Sequence, residues 1–173
     1  LRRLVGSEMC IRDSSKPVQY YIPWSVAYKL TSLSTPVRTC SDASAKTKSG
    51  FSLNDCLAKG KPDLDFLCIA TQFRLGKVAL ICDLSKFYNS IILHKDHLNF
   101  QNTIWSDDFN PEGPLKRYII ATVMYGLKSS SRQLEHAIEL IADKTTTMPH
   151  VQHCLKKCRY VDDGLSSCPD YQT

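Results

Sequence analysis

The apolar positions of this chain fall mainly into short runs of strand length, separated by polar stretches. Residues 78–82 form a continuous apolar run that ends at Asp83, which predicts a strand buried on both faces. Apolar runs at 91–93 and 117–126 predict two further strands, the second closed by Gly126. The pattern therefore predicts three strands in the middle of the chain.

Two segments repeat their apolar residues at helical spacing instead. The stronger covers 129–144, where Ser130 and Gln133 offer a capping-box pair. Its apolar stripe consists of Leu134, Ala137, Ile138 and Ile141. A second helix is predicted within 62–77 and ends at Gly76. Its apolar positions are Leu64, Leu67, Cys68 and Phe73.

The remaining segments predict edges, loops and one hairpin. Residues 16–29 alternate weakly and carry two prolines, which indicates an extended edge segment, and a short strand is predicted at 37–41. Residues 49–64 are loop-like, and 94–116 are polar with a turn at "NPEGP". "CRYVDDGLSSC" at 158–168 predicts a strand, an acidic turn and a strand. Helices and strands are mixed without βαβ alternation, so the predicted fold class is α+β.

Composition and charge are those of an ordinary globular chain. The 173 residues are 43% hydrophobic and 23% charged, enough for one domain or part of a larger one. No apolar run reaches the ~18 residues of a membrane span, and the N-terminus lacks a secretory signal pattern. The net charge of +5 suits a polyanionic partner. The eight cysteines are scattered without a CxxC, so we expect reduced, mostly buried thiols in an intracellular chain.

The first residues differ from the rest of the chain. Residues 1–14 show neither helical nor strand periodicity, and residues 4–14 resemble a translated reading frame of the transposase end-sequence adapter used to prepare DNA sequencing libraries. We therefore expect 1–14 to be a non-native segment and the native sequence to begin near Ser15, in mid-protein. The chain remains basic without this segment.

Three carboxylates share one property, because each lies at the end of a predicted strand. Asp83 ends the run at 78–82, and Asp162 with Asp163 follows the short run before them. If the two strands are neighbours in one sheet, the carboxylates converge and need neutralisation by cations. Oxygen-only ligation selects Mg²⁺ or Mn²⁺, and a pair of such ions is the standard device for in-line displacement at phosphorus. The alternative is that Asp83 caps a strand and that Asp162 and Asp163 form a solvated turn.

Four blocks of sequence resemble those of reverse transcriptases. "YVDD" at 160–163 resembles the active-site hairpin, and "VALICDLSKFYNSI" at 78–91 resembles the first catalytic block. "YIIATVMYGLKSSSRQ" at 118–133 resembles the block in which a strand, a glycine and a Ser-rich turn lead into a helix. "VRTCSDASAKTKSGFSLNDCLAKGKPDL" at 37–64 is most similar to the fingers region of the Bel/Pao group of long-terminal-repeat retrotransposons. The blocks occur in the order that the family requires.

The resemblance implies the fingers and palm of a right-hand polymerase without the thumb, the palm having an antiparallel sheet backed by helices. It assigns 15–60 and 95–125 to the fingers, and 61–94 and 126–173 to the palm. The implied activity is RNA-directed DNA polymerisation with two Mg²⁺ or Mn²⁺ ions. The implied partners are an RNA or DNA template-primer, deoxynucleoside triphosphates and the thumb, RNase H and integrase regions of a polyprotein, with no membrane. The implied location is the cytoplasm, within virus-like particles.

The resemblance also assigns roles to individual residues. Asp83, Asp162 and Asp163 would be catalytic and, with the backbone carbonyl of Leu84, would hold the metal ions. Tyr160 would lie beside the primer end, and Lys128 would contact primer or template. For Asp83, Asp162 and Asp163 the match is to the family's metal-binding carboxylates.

A second group would bind the incoming nucleotide. Arg38 would grip the triphosphate through its guanidinium fork, and Lys29 would be a second phosphate-binding base. Tyr88 would be the aromatic steric gate that excludes the ribose hydroxyl, while Tyr125 and Gly126 would line the pocket. The plainer alternatives are a surface charge for Arg38 and a core position for Tyr88, the latter compatible with the gate.

Departures from the family pattern leave a second function open. Ser131 stands where the family has a proline, Cys40 and Ser41 should weaken their strand, and Lys61 interrupts the "GPDL"-like run. A decayed or truncated nucleic-acid-binding remnant without catalysis is therefore an alternative to an active polymerase. An RNA-templated RNA polymerase would share the acidic pair but would not favour an aromatic residue at Tyr88.

One other cluster has metal-binding chemistry. His150, His153, Cys154 and Cys158 lie within the single run "HVQHCLKKC". Structural zinc sites usually pair two separated knuckles, so chance proximity is the favoured interpretation and zinc binding the alternative.

Overall fold

The chain passes three times between two compact units. The computed structural model describes residues 11–12, 20–31, 36–60, 65–106, 112–145 and 147–170. Unit 1 comprises Leu1–Ala58 and Tyr88–Ser130, and unit 2 comprises Lys59–Phe87 and Ser131–Thr173. Both units combine short helices with antiparallel strands, so the predicted mixture of the two is confirmed.

Strands and helices are numbered along the chain. The strands are β1 (Ile11–Arg12), β2 (Trp24–Tyr28), β3 (Val37–Ser41), β4 (Val78–Asp83), β5 (Asn102–Trp105), β6 (Lys116–Ile120), β7 (Arg159–Tyr160) and β8 (Asp163–Cys168). The helices are α1 (Leu53–Cys56), α2 (Phe66–Phe73), α3 (Phe87–Ser90), α4 (Ser130–Thr145) and α5 (Pro149–Lys157), with a 3₁₀ turn at Leu98–Phe100. None of the described helices is long and apolar enough to cross a membrane.

Unit 1 contains a hairpin and a three-stranded sheet. β2 and β3 pair antiparallel, with Trp24 opposite Ser41 and Tyr28 opposite Val37. The sheet has the order β1-β6-β5 and is antiparallel throughout. Its apolar core is formed by Ile22, Ala43, Leu53, Ile120 and Met124, with Tyr20, Leu57 and Leu127 packed against it. Burial of each large aliphatic side chain stabilises the unit by roughly 1.5–3 kcal/mol.

Unit 2 contains a three-stranded antiparallel sheet of order β4-β8-β7. Its most buried apolar side chains are Ile69, Leu134, Ile138, Ala142 and Cys158. Leu134, Ile138 and Ala142 recur every four residues along α4, so they lie on one stripe of that helix. The prediction of this helix is confirmed, but its stripe is rotated, since Ala142 is buried and Ile141 is exposed.

The prediction that 78–82 is buried on both faces was wrong. β4 is a strand, yet Leu80 and Ile81 are 51% and 71% exposed. Leu80 and Ile81 are consecutive residues and point to opposite faces of the strand, so neither face is fully covered at this position. An apolar run predicts a strand, but it does not tell whether a second layer covers it.

Other segments also differ from the predictions. Residues 91–93 form an isolated bridge between Ile92 and Thr122 rather than a strand. The loop-like segment 49–64 includes the turn of helix α1, which starts with a capping box between Ser52 and Asp55. The sequence also did not predict β1, α3, β5, α5 or the 3₁₀ turn at Leu98–Phe100.

The structure describes part of the N-terminal segment and all of strand β3. Within the segment 1–14, which we expect to be non-native, β1 (Ile11–Arg12) pairs antiparallel with β6. The remaining residues of 1–14 lie outside the described residues, as does Lys61. β3 covers 37–41 as predicted.

Candidate functional site

The acidic hairpin, residues 159–168, confirms the predicted order of strand, turn and strand. β7 and β8 pair with Tyr160 opposite Asp163, which leaves Val161 and Asp162 as a two-residue loop. Val161 has φ 57°, a left-handed conformation that is rare for a β-branched residue. Gly164 follows the acids where a Cβ would collide with the sulfur of Cys82, so glycine permits the close approach of β8 to β4. The loop that carries Asp162 is therefore short and conformationally restricted.

Strand register places two of the predicted carboxylates opposite each other. β4 pairs antiparallel with β8, and Asp83 is the partner of Asp163. The amide of Leu84 donates to the carbonyl of Asp162 at 3.0 Å, which identifies Asp83 and Asp163 as a non-hydrogen-bonded pair. In such pairs the Cα atoms are about 4.5 Å apart and the side chains lie close together. Like charges in directly opposed positions repel, so the arrangement is unfavourable unless a cation joins it.

Among the described residues, no basic side chain supplies such a cation to the acids. Asp83 and Asp163 are exposed and Asp162 is half-buried. In the part of the chain that the structure describes, no Lys, Arg or His forms an ion pair with any of the three. The free-energy cost of desolvating the carboxylates is therefore small, because the acids are at least partly exposed. The unfavourable contribution that remains is the repulsion between the carboxylates of Asp83 and Asp163.

The donors present fit a divalent ion, but incompletely. Two opposed, solvent-accessible carboxylates offer the oxygen ligands that Mg²⁺ and Mn²⁺ prefer. Asp162 lies in the loop next to this pair, while the carbonyl of Leu84 accepts a 3.3 Å hydrogen bond from Phe87. Among the described residues, no three His, Cys, Asp or Glu side chains are arranged together as a metal-binding group. The structure thus brings Asp83 and Asp163 together and places Asp162 beside them without converging all three.

Tyr88 and Tyr125, both in unit 1, are in contact. Their ring centroids are 4.4 Å apart with an interplanar angle of 46°. Tyr88 is 6% exposed and Tyr125 is 52% exposed, so one ring is buried and the other presents a face to solvent. Tyr88 therefore occupies a core position, which the gate hypothesis allows.

Gly126 belongs to the glycine turn, residues 125–128. Its φ of 87° favours glycine, and a Cβ there would lie 2.8 Å from the carbonyl oxygen of Ser41. The hydroxyl of Ser41 donates to the carbonyl of Tyr125. Ser41 was expected to weaken β3, and its hydroxyl also stabilises this turn through the hydrogen bond to Tyr125.

Asn54 is a second residue that holds the glycine turn, and the sequence did not single it out. Its Nδ2 donates to the carbonyl of Gly126 at 2.9 Å and to the hydroxyl of Ser44 at 2.8 Å. Its Oδ1 accepts from the amide of Lys128 at 2.8 Å. The only local signal was the Ser52–Asp55 capping box, which predicts the turn of helix that carries Asn54.

Arg38 and Lys29 belong to the β2–β3 hairpin of unit 1. Arg38 lies opposite Ala27, and the amide of Lys29 donates to the carbonyl of Pro36 at 2.8 Å just beyond the paired region. Both residues are exposed. The structure therefore places the two predicted phosphate-binding residues near one end of one hairpin, accessible to an anion.

The residues predicted to contact primer or template are also accessible. Tyr160, in unit 2, is 47% exposed and its ring meets that of Phe66 edge-on at 5.1 Å. Lys128, in unit 1, is exposed, with its amide held by Asn54.

The histidine and cysteine run folds as α5 and the residue after it. His150 and His153 are exposed, Cys154 contacts the hydroxyl of Ser166 at 3.5 Å, and Cys158 is buried. Burial raises the pKa of the Cys158 thiol, and proximity to Cys154 adds to this rise. Within the described ranges the run forms no metal-binding group.

The expectation of mostly buried thiols was wrong. Of the described cysteines, Cys158 alone is buried, and four are exposed: Cys40, Cys56, Cys68 and Cys82. They lie on β3, α1, α2 and β4, respectively. All described cysteines are free.

The chain was compared with protein-family models, curated proteins and solved structures, and only the last comparison found similar proteins. No protein-family model and no curated protein matches the chain. Its structure is similar to the crystal structure of the prototype foamy virus protease-reverse transcriptase, with a TM-score of 0.60 and 13% sequence identity. The fold is similar to part of a reverse-transcriptase protein. The similarity covers 90% of this chain and 17% of that chain, so the two share a fold over a small part of the viral protein.

Proposed function

We propose that this chain is part of an RNA-directed DNA polymerase of the Bel/Pao retrotransposon group and carries its nucleotidyl-transfer site. The observation that carries the proposal is the register of β4 and β8, which opposes Asp83 and Asp163 without a described countercharge. The structural similarity to a protease-reverse transcriptase supports the same class of fold. In this proposal unit 1 supplies the fingers and unit 2 the palm.

Asp83 and Asp163, with Asp162 beside them, would hold two Mg²⁺ or Mn²⁺ ions. Such ions, when bound, favour deprotonation of the primer hydroxyl and stabilise the charge that develops on the phosphoryl group. Arg38 and Lys29 would bind the triphosphate, since exposed cations on a hairpin suit this anion. Tyr88 would exclude the ribose hydroxyl, with Tyr125 and Gly126 lining the pocket. Tyr160 and Lys128 would contact primer and template.

The proposed partners follow from this chemistry. They are a template-primer of RNA or DNA, deoxynucleoside triphosphates, and the thumb, RNase H and integrase regions of a polyprotein. The proposed location is the cytoplasm, within virus-like particles. No membrane has a part in the proposal.

The alternative is a nucleic-acid-binding remnant of the same fold without catalysis. It is favoured by one observation, the failure of Asp83, Asp162 and Asp163 to converge as a three-residue group. Both functions predict binding to a template-primer, so binding alone does not separate them.

The deciding experiment is primer extension on an RNA template with Mg²⁺ and deoxynucleotides. It uses this chain and a form extended beyond Thr173, each with an Asp162→Asn variant. Incorporation that is lost in the variant supports the polymerase. Undiminished activity of the variant contradicts the metal role, and nucleic-acid binding without incorporation by either form supports the remnant.

A further inference from the structure

The buried guanidinium of Arg159 joins the acidic hairpin to two helices. Arg159 is 3% exposed, although arginine is normally a surface residue. Its Nε donates to the carbonyl of Leu155 on α5 at 2.8 Å. Its Nη1 donates to the carbonyl of Val161 and its Nη2 to the carbonyl of Glu135 on α4, both at 3.4 Å. One side chain thus contacts α4, α5 and the hairpin loop.

The cost of burying this charge indicates that Arg159 does more than fill space. Burial lowers the pKa of Arg159, while the nearby carboxylates of Glu135 and Glu139 act in the opposite direction. Glu135 is itself nearly buried and pairs with Arg132 at 3.1 Å. An apolar residue of similar volume commonly stabilises a core as well as such a buried charge does, so stability alone does not require arginine here.

Arg159 contacts the hairpin at Val161, the residue whose backbone conformation is most restricted. Val161 adopts φ 57°, a conformation that persists only when the surrounding structure enforces it. The carbonyl that Nη1 contacts belongs to the peptide that joins Val161 to Asp162. On the other side of the loop, the Leu84 amide holds the carbonyl of Asp162. The loop is therefore restrained from the helices by Arg159 and from β4 by Leu84.

We propose that Arg159 is a positioning residue, whose guanidinium fixes the Val161–Asp162 peptide and thereby the placement of Asp162 and Asp163 relative to Asp83. It acts through the backbone and does not itself touch a substrate. The part of the proposal that concerns divalent ions rests on the proposed function, and the part that concerns the loop does not.

Two readouts on the whole 173-residue chain test the proposal in Arg159→Met and Arg159→Lys. The first is hydrogen exchange of the Leu84 amide, with the Leu134 amide on α4 as the reference. The second is titration with Mn²⁺ alone, followed by electron paramagnetic resonance. The control is Arg74→Met, which removes a guanidinium that donates within α2, to the carbonyl of Ala70.

Arg159→Met is expected to speed exchange of the Leu84 amide about tenfold relative to Leu134 and to weaken Mn²⁺ binding by a similar factor. Arg159→Lys should give a smaller change in both, because an ammonium keeps the charge but not the three-way fork. Arg74→Met should change neither. If Arg159→Met does not fold, Arg159→Lys decides by the same readouts.

Two results would overturn the positioning role: unchanged exchange at Leu84, or equal acceleration at Leu84 and Leu134, which indicates a general loss of packing. Absence of Mn²⁺ binding by the unmodified chain would count against the proposed function alone. The exchange result would still decide on Arg159.

Discussion

The acidic hairpin of unit 2 and the glycine turn of unit 1 are both tight turns restrained by distant residues, but they differ in what they leave unsatisfied. The glycine turn carries no carboxylate, and Ser41 and Asn54 pair with its backbone groups. The acidic hairpin has its backbone held by Arg159 and Leu84, while its carboxylates face Asp83 without a described countercharge. The glycine turn has these backbone groups paired within the protein, whereas the acidic hairpin sets two like charges opposite each other, a repulsion that the ions of the proposed function would neutralise.

The largest effect is expected from breaking the glycine turn at its closest approach. Gly126→Ala should destabilise unit 1 by about 3 kcal/mol, because the residue must keep a positive φ and its Cβ meets the Ser41 carbonyl. Gly50→Ala is the matched control, since Gly50 has φ 83° with nothing near its Cβ, and should cost about 1 kcal/mol. Denaturation followed by tryptophan fluorescence measures both, because Trp24 and Trp105 lie in unit 1. Equal losses would show that the contact with Ser41 is unimportant.

The next effect concerns the polar contacts of the same turn. Asn54→Ala should destabilise unit 1 by about 2 kcal/mol, because it removes bonds to Gly126 and Lys128. Asn54→Asp keeps the acceptor for the Lys128 amide and loses the donor to Gly126. Hydrogen exchange at Lys128 should therefore accelerate in the alanine variant and stay slow in the aspartate variant. Slow exchange at Lys128 in both variants would mean that Asn54 does not hold the turn.

A smaller effect of opposite sign is expected in the acidic hairpin. In the absence of divalent ions, Asp83→Asn should stabilise unit 2 by about 0.5 kcal/mol, because it removes repulsion with Asp163. Asp96→Asn, which alters an exposed acid paired with His94, is the control and should give no such gain. Hydrogen exchange of the β8 amides measures the change. Destabilisation by Asp83→Asn would contradict the account of an unneutralised pair.

The smallest effect is a pH dependence in unit 1. Hydrogen bonds from Lys46 and then from Ser52 hold the pKa of Asp55 well below its ordinary value. The ionised form therefore stabilises the folded state above the unfolded pKa of about 3.9, and this stabilisation is lost as pH falls through the lower, folded value. Below about pH 4, unit 1 should lose less stability in Lys46→Met than in the unmodified chain. Identical slopes in tryptophan-monitored unfolding would contradict this assignment.

Local patterns predicted much of the secondary structure of both regions. The strands at 37–41 and 78–83, the hairpin at 158–168 and the helix at 130–145 all follow from runs, turn residues and periodicity. These patterns involve residues that are close in sequence, so they can be recognised without knowledge of the tertiary contacts. The predicted roles of individual residues came from the resemblance to reverse transcriptases and stay predictions.

Structural features that depend on pairing between residues far apart in sequence could not be predicted from local patterns. The register that opposes Asp83 to Asp163 joins residues from different strands, and a shift by one residue would place the two acids on opposite faces. Asn54 contacts Gly126 across 72 positions of the chain. The exposure of Ile81 depends on what packs over the face of β4, which an apolar run does not encode. Arg159 reads as an ordinary surface charge until α4 and α5 are placed around it.

The most direct test of the central claim is a Mn²⁺ titration of the whole chain, comparing the unmodified protein with Asp83→Asn and Asp163→Asn. Electron paramagnetic resonance of free Mn²⁺ measures binding without any need for polymerase activity. The account predicts saturable binding that each substitution weakens by at least about tenfold, since each removes one of two opposed carboxylates, while Asp96→Asn has no effect. Binding that is absent, or that survives both substitutions unchanged, would contradict a metal site at the β4–β8 pair.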